Sequence, residues 1–237
     1  MARPGHAIEI VTNLRRTNPM QHAGDRRPIA ARNLALSGRV AEWLVRRRAS
    51  PNGISLAGMV CGLLAGLCFV LTAVLPAQAW LFWLAGAALM QLRLLANLFD
   101  GMVAIGRGIA SPVGELFNEV PDRVSDSAVL IGLGYAAGGL PWLGYAAALA
   151  AMATAYARAV GKAAGAPSDF RGPMAKQQRM ALCTALAIWC ALVPPAWEAV
   201  AGWPLVTLVL AAIALLALLT TLRRLSGIAA ALRGGVR

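Results

Sequence analysis

The sequence predicts an all-α, polytopic membrane protein: six transmembrane helices preceded by an amphipathic interfacial helix. Three observations carry this reading. The chain is 59% hydrophobic with a mean hydropathy of +0.63, too apolar for a soluble globule of its size. Six apolar stretches, at about 54–75, 79–104, 112–138, 141–162, 174–195 and 203–224, are each long enough to cross a hydrocarbon core of roughly 30 Å. They do not alternate as β-barrel strands do, and such strands are about half that length. Third, the cations follow the connections between these stretches in a regular way.

Twenty-two Lys and Arg stand against ten Asp and Glu, a net charge of +12. The cations fall before Pro51, at Arg107, at Arg158, Lys162, Arg171 and Lys176, and after Leu222. The connections near Pro76, Gly139 and Pro195–Trp203 hold none. This is the positive-inside pattern, and it predicts an integral protein of a bacterial cytoplasmic (inner) membrane with both termini in the cytoplasm. Because the charge tracks topology, the expected partner is a bilayer with anionic headgroups and no nucleic acid. Cys61, Cys68, Cys183 and Cys190 match no metal spacing and read as small packing residues.

In chain order, residues 1–28 are polar and Arg-rich without periodicity, which predicts a disordered basic tail. The same composition would suit a mitochondrial transit peptide, though nothing else points to an organelle. No cleavable signal is expected, since the first apolar run begins near Ile54. Over 29–49, Ile29, Leu34, Leu36, Val40, Trp43, Leu44 and Val45 alternate with arginines, the pattern of a helix lying in the membrane interface. The membrane domain follows over 50–225, with a basic tail at 226–237.

Ser50-Pro51-Asn52-Gly53 opens the first span with capping chemistry. Gly58, Gly62 and Gly66 recur every fourth residue within it, which predicts close helix packing. Arg93 in the second span either pairs with a nearby carboxylate or snorkels to the surface. Pro121 in the third span interrupts the backbone ladder. Trp80, Trp83, Trp142, Trp197 and Trp203 mark the opposite interface. Arg171, Arg223 and Arg224 read as orienting charges, and Glu198 as a solvated loop residue.

Half of the acidic residues lie between Asn97 and Asp126: Asp100, Glu115, Glu119, Asp122 and Asp126. Carboxylates between apolar runs are expensive, so their default reading is functional. Asn97, Asp100, Gly101 and Ala104 share one helix face, as do Gly114, Asn118, Asp122 and Asp126 on the next. The short link Gly106–Pro112 would turn the two faces toward each other across a hairpin.

This stretch resembles the signature of the CDP-alcohol phosphatidyltransferases: D-x2-D-G-x2-A-R, eight residues, then G-x3-D-x3-D. Asp100, Gly101, Ala104, Gly114 and Asp122 match in identity and spacing. Asn97 and Asn118 occupy the first and third aspartate positions, and Ile105 the arginine position, with Arg107 two residues on.

The resemblance implies transfer of a substituted phosphate from a CDP-linked lipid to a small alcohol, releasing CMP, in phospholipid synthesis. It also implies Mg²⁺ or Mn²⁺ held by oxygen ligands, and it brings a homodimer as an expected assembly. Carried over by position, Asn97, Asp100, Asn118 and Asp122 are metal-ligand positions, with Glu119 beside them. Asp122 is the base; if Asp126 rebuilds lost charge, the base is Asp126 and Asp122 a ligand. Asn52 and Ser55 either touch the cytidine or only cap the helix. Gly101, Ala104, Arg107, Gly114, Arg158, Lys176 and Arg179 complete the substrate side. Glycerol phosphate, inositol phosphate, serine and other alcohols all suit the acceptor place, the basic residues favouring an anionic one.

Asparagine offers a metal one neutral oxygen and no charge. The alternative is therefore a catalytically impaired relative that binds a CDP-lipid or partner without turnover. A transporter is a third reading, since intramembrane carboxylates also mark ion paths. Against it, the acids cluster at one membrane side and no inverted repeat is visible.

Overall fold

The computed structural model describes residues 35–109 and 112–234, apart from the side chains of Ala35, Pro112, Val113 and Glu115. The expectations for the tail 1–28, for residues 29–34 and for the Glu115 carboxylate lie outside the described residues. The rest is mostly helical. In order come α1 (Ala35–Arg46), α2 (Pro51–Val74), α3 (Ala79–Gly106), α4 (Pro112–Gly134), α5 (Pro141–Ala163), α6 (Lys176–Leu192) and α7 (Leu205–Gly234). A two-residue antiparallel ribbon, β1 (Ala199–Val200) on β2 (Trp203–Pro204), closes the α6–α7 connection.

Four helical segments are long and apolar enough to cross a membrane: Pro51–Val74, Pro76–Gly106, Pro141–Ala163 and Leu205–Gly234. The chain is an integral membrane protein. The other two predicted spans form helices at the expected places but differ in character. α4 carries Glu119, Asp122, Arg123 and Asp126. α6 has 17 residues, so at about 1.5 Å per residue it is a little shorter than the hydrocarbon core. α7 runs on to Gly234, past the expected end near 224, because 226–234 continues in good helix formers with no proline.

Local chemistry sets the helix starts. Ser50 caps α2, its hydroxyl accepting the Gly53 amide at 3.3 Å, with Pro51 in the first turn. α5 likewise opens on a proline, Pro141. α4 continues through Pro121, whose missing N–H leaves the Phe117 carbonyl without its helical partner.

Small residues let α2 sink between α3 and α4. A Cβ on Gly58 would lie 2.8 Å from Ala96 of α3. One on Gly62 would overlap Ser125 of α4, and one on Gly66 the Ala128 backbone. The predicted glycine ladder is thus a packing face split between two neighbours. α3 also packs on α6, α4 on α5, and α5 on α7. Phe69, Trp83, Met90, Leu130, Leu133, Met180, Leu210 and Ile213 fill the shared core. Buried Cys183 and Cys190 belong to it as packing residues. Trp83 also sits there instead of at an interface, tilted against Phe69 at 5.5 Å. This arrangement fixes the α3–α4 hairpin against the start of α6.

Candidate active site

Asp100, in the last two turns of α3, is buried, with 4% of its surface exposed. Its Oδ2 accepts the Ser55 hydroxyl from α2 at 2.6 Å, and its Oδ1 the Gly101 amide at 2.5 Å. Both donors are neutral, and no cationic side chain hydrogen-bonds this carboxylate among the described residues. Ser55 therefore serves Asp100, and the cap of α2 is Ser50. Asn52 is half-buried at the first turn of α2.

One helix turn apart on α4, Asp122 and Asp126 have different surroundings. Asp122 lines a cavity of about 460 Å³. Its Oδ1 accepts Asn97 Nδ2 and, at 3.2 Å, Arg93 Nη2, while Oδ2 accepts Lys176 Nζ. Asp126 is 3% exposed and lies outside that lining. Arg93 holds its Oδ1, and Arg179 its Oδ2 at 2.9 Å. Asp126 therefore holds α3, α4 and α6 together, and of the two acids named as candidate base only Asp122 borders the cavity.

Arg93 is the centre of that anchor. Its Nε donates to Ser125 Oγ at 2.5 Å, and its Nη2 to the Asp122 carbonyl at 3.2 Å. Of the two readings offered for Arg93, pairing is the one the structure shows. Ser125 in turn donates to the Pro121 carbonyl at 2.8 Å, tying the proline turn into the same network.

A second ionic group lines the cavity further out. Glu119 bonds Arg123 on its own helix and Arg158 on α5, one through each carboxylate oxygen. The Arg158 guanidinium lies over the Phe170 ring at 5.4 Å. Across both groups, five cations (Arg93, Arg123, Arg158, Lys176 and Arg179) meet three carboxylates (Glu119, Asp122 and Asp126). Asn118 is exposed on the cavity wall.

The structure thus gathers Asn97, Asn118, Glu119, Asp122, Arg158, Lys176 and Arg179 around one cavity, with Asp100 just behind. It places Arg107 elsewhere: its Nη1 donates to the Ala49 carbonyl at 2.7 Å, fastening the hairpin link to the α1–α2 turn. Gly101 serves Asp100 through its amide, Ala104 lies one turn on, and Gly114 is in the first turn of α4.

Sequence reasoning missed Arg123, although Glu119-x3-Arg123 is an i,i+4 pair that could have found it. It also missed Gln91, Thr154 and Phe170 in the lining, for which no motif exists. Arg224 is no surface orienter: it is buried, lines the cavity, and donates to the Thr154 carbonyl at 2.8 Å and the Arg171 carbonyl at 3.0 Å.

Beside the cavity, the α5–α6 loop is closed by Asp169, which accepts the Arg171 amide at 2.9 Å and its Nη2 at 2.8 Å. The Arg171 bonds hold the Asp169 carboxyl below the usual carboxylate range. In the α6–α7 loop, burial pushes the Glu198 carboxyl up.

Among the described residues, no group of three or more His, Cys, Asp or Glu is placed to hold a metal. The available donors are two carboxylates, Asp100 and Asp122, with amide oxygens at Asn97 and Asn118. Asn97 directs its nitrogen at Asp122, and its oxygen lies on the α2 side, 3.9 Å from a Cβ built on Gly58. Such a set suits one hard divalent ion and is poor in charge for a pair.

Comparison with known proteins extends this picture. The chain matches no family model. It is 33% identical over 150 residues to the archaetidylinositol phosphate synthase of Aeropyrum pernix, covering 63% of this chain and 72% of that protein. It is 29% identical over 148 residues to the phosphatidylinositol phosphate synthase of Streptomyces avermitilis, covering 60% of this chain and 57% of that one.

Its fold matches the phosphatidylinositol phosphate synthase of Mycobacterium tuberculosis in two crystal structures. The complex with CDP-DAG gives a TM-score of 0.67 at 20% identity, covering 82% of this chain and 94% of that one. The complex with manganese and citrate gives 0.65 at 20% identity, over 81% and 88%. Identity running through most of the Aeropyrum enzyme, together with Asp100 and Asp122 brought to one place by the hairpin, leads to a single assignment: the chain belongs to the CDP-alcohol phosphatidyltransferase family.

Proposed function

We propose that this protein transfers a substituted phosphate from a CDP-linked lipid to an alcohol and releases CMP. The observation that carries the reading is the convergence of Asp100 from α3 and Asp122 from α4 beside a cavity lined by Lys176, Arg158 and Arg123. The likeness to synthases of inositol-phosphate lipids supports a lipid donor and a phosphorylated alcohol as acceptor.

In this reading the acceptor oxygen attacks the phosphorus that carries the lipid. A new P–O bond forms, the diphosphate bond breaks, and CMP leaves. Asp122 takes the hydroxyl proton, being the carboxylate that both borders the cavity and sits within reach of Lys176. Lys176 sets the orientation of Asp122 and meets negative charge on the phosphates. Arg158 and Arg123 receive the anionic group of the acceptor, with Glu119 holding them in place until it arrives. Asn52, at the mouth of α2, contacts the nucleotide. Asp100, with Asn118 and Asp122, would hold Mg²⁺ or Mn²⁺. Such an ion would supply neutralisation of the diphosphate and of the charge on the leaving phosphate.

The same reading has α4 and α6 crossing the membrane with the other four, their charges shielded inside the bundle. α1 lies in the interface, Trp43 outward and Arg47 over its ring at 5.6 Å. Both termini face the cytoplasm of a bacterial inner membrane, and the protein works as a homodimer.

One observation favours a second reading. Asn97 donates a hydrogen to Asp122 where a family aspartate would offer a ligand, as in a relative that binds CDP-lipid without turnover. The deciding experiment incubates purified protein with labelled CDP-diacylglycerol and a panel of alcohols, with and without Mg²⁺ or Mn²⁺. CMP release with one phosphorylated alcohol is expected. Tight binding of the donor with no CMP from any alcohol would select the second reading.

A further inference from the structure

We propose that the site takes a single divalent cation, seated at Asp100, and that the Lys176 ammonium supplies the charge a second ion would bring. The proposal rests on the phosphotransfer reading for the identity of the site, but its argument is one of charge and donor geometry.

Asp100 is the carboxylate of the cluster that lacks a cation. It is buried, and its oxygens are met by a hydroxyl and an amide, neither of which brings charge. A buried carboxylate whose direct bonding partners are all neutral is costly, so this position suits a cation. Asp122 is in the opposite condition. Lys176 takes one of its oxygens, and Asn97 and Arg93 the other. A second ion placed here would face an ammonium and the hydrogens of an amide. It would also lack the two negative charges that aspartates at 97 and 118 would bring.

The test counts bound Mn²⁺ by electron paramagnetic resonance on the full chain in detergent micelles, with and without CDP. The wild type should bind one Mn²⁺ per chain, with an uncoupled spectrum. Lys176→Arg, which keeps the charge, should still bind one. Lys176→Gln should tighten Mn²⁺ by about tenfold, as expected when a positive charge that repels the ion is removed. Asn97→Asp/Asn118→Asp/Lys176→Gln should bind two, with the broadened spectrum of adjacent ions.

Two ions in the wild type, or none, would overturn the proposal, as would an unchanged affinity in a folded Lys176→Gln protein. Equilibrium dialysis of labelled CDP reports separately on the phosphotransfer reading. A chain that counts one Mn²⁺ but never holds CDP would sink that reading and leave the single-ion site standing.

Discussion

Arg93 on α3 and Asp126 on α4 form an ion pair with both side chains almost wholly buried. Arg179 reaches the other oxygen of Asp126 from α6 at 2.9 Å. Three helices thus meet on one carboxylate, and each removal takes a partner from a buried charge. Arg93→Met should cost about 3–5 kcal/mol of stability, the range for breaking a buried pair. Asp126→Asn should cost a similar amount, since it takes the carboxylate from Arg179 and leaves Arg93 with Asp122 alone. The double variant should lose less than the two singles together, because both break one network. Denaturant unfolding of the purified protein in micelles measures this, and strict additivity would remove Asp126 from its anchoring role.

Ser55 presents a different case, because its partner is meant to remain reactive. Its hydroxyl is the side-chain donor to Asp100. Ser55→Ala leaves a charged acceptor short of one hydrogen bond, at a cost of about 1–3 kcal/mol. Ser55→Thr keeps the donor and should retain most of the stability. Comparing the two by thermal unfolding separates loss of the bond from change of volume. Equal losses would mean that volume alone matters here.

Much of this site was legible beforehand, and the part that was not has a physical cause. The four long apolar helices could be read because apolar length is a local property of the sequence. The hairpin could be read because Asp100 and Asp122 recur at helical spacing around a short link. The division of labour between Asp122 and Asp126 could not. Both lie on one face of α4, and only the docking of α3 and α6 seals one and leaves the other on the cavity. That docking depends on Arg93 and Arg179 approaching from helices far apart in the chain, which no spacing encodes. Arg224 was misread for the same reason: an arginine towards the end of a helix looks identical in sequence whether it faces lipid headgroups or buried carbonyls of another element.

Close packing of α2 gives a sharp contrast between glycines. A Cβ on Gly66 would lie 2.8 Å from the carbonyl carbon of Ala128, a backbone atom that cannot swing away. Gly66→Ala should therefore cost about 1–3 kcal/mol by overpacking. Gly38, on α1, has nothing within 4 Å of the corresponding position. Gly38→Ala should be neutral or slightly stabilising, as alanine is the better helix former. Thermal unfolding of the two variants side by side tests the ladder. Equal midpoints would mean that α2 is free to move away from α4.

The α5–α6 loop supplies a pH dependence. Asp169 accepts both the amide and the guanidinium of Arg171, and these bonds hold its carboxyl below the ordinary range. The folded state thus binds this proton less readily than the unfolded state, whose carboxylate titrates near about 3.9. The stabilisation is present above that unfolded value and fades as pH falls through the lower folded one. Asp169→Asn removes the linkage. The variant should be less stable than wild type at pH 7, and the gap should narrow once the pH drops below the ordinary carboxylate range. The clasp packs on Gly227 of α7, where an added Cβ would lie 3.0 Å from Asp169 Oδ2. Loss of the clasp should therefore loosen the loop that carries Phe170 to Arg158, and proteolysis of the 164–175 segment should quicken in the variant. A stability gap that stays constant from pH 7 to pH 3 would show that Asp169 acts through its shape instead of its charge.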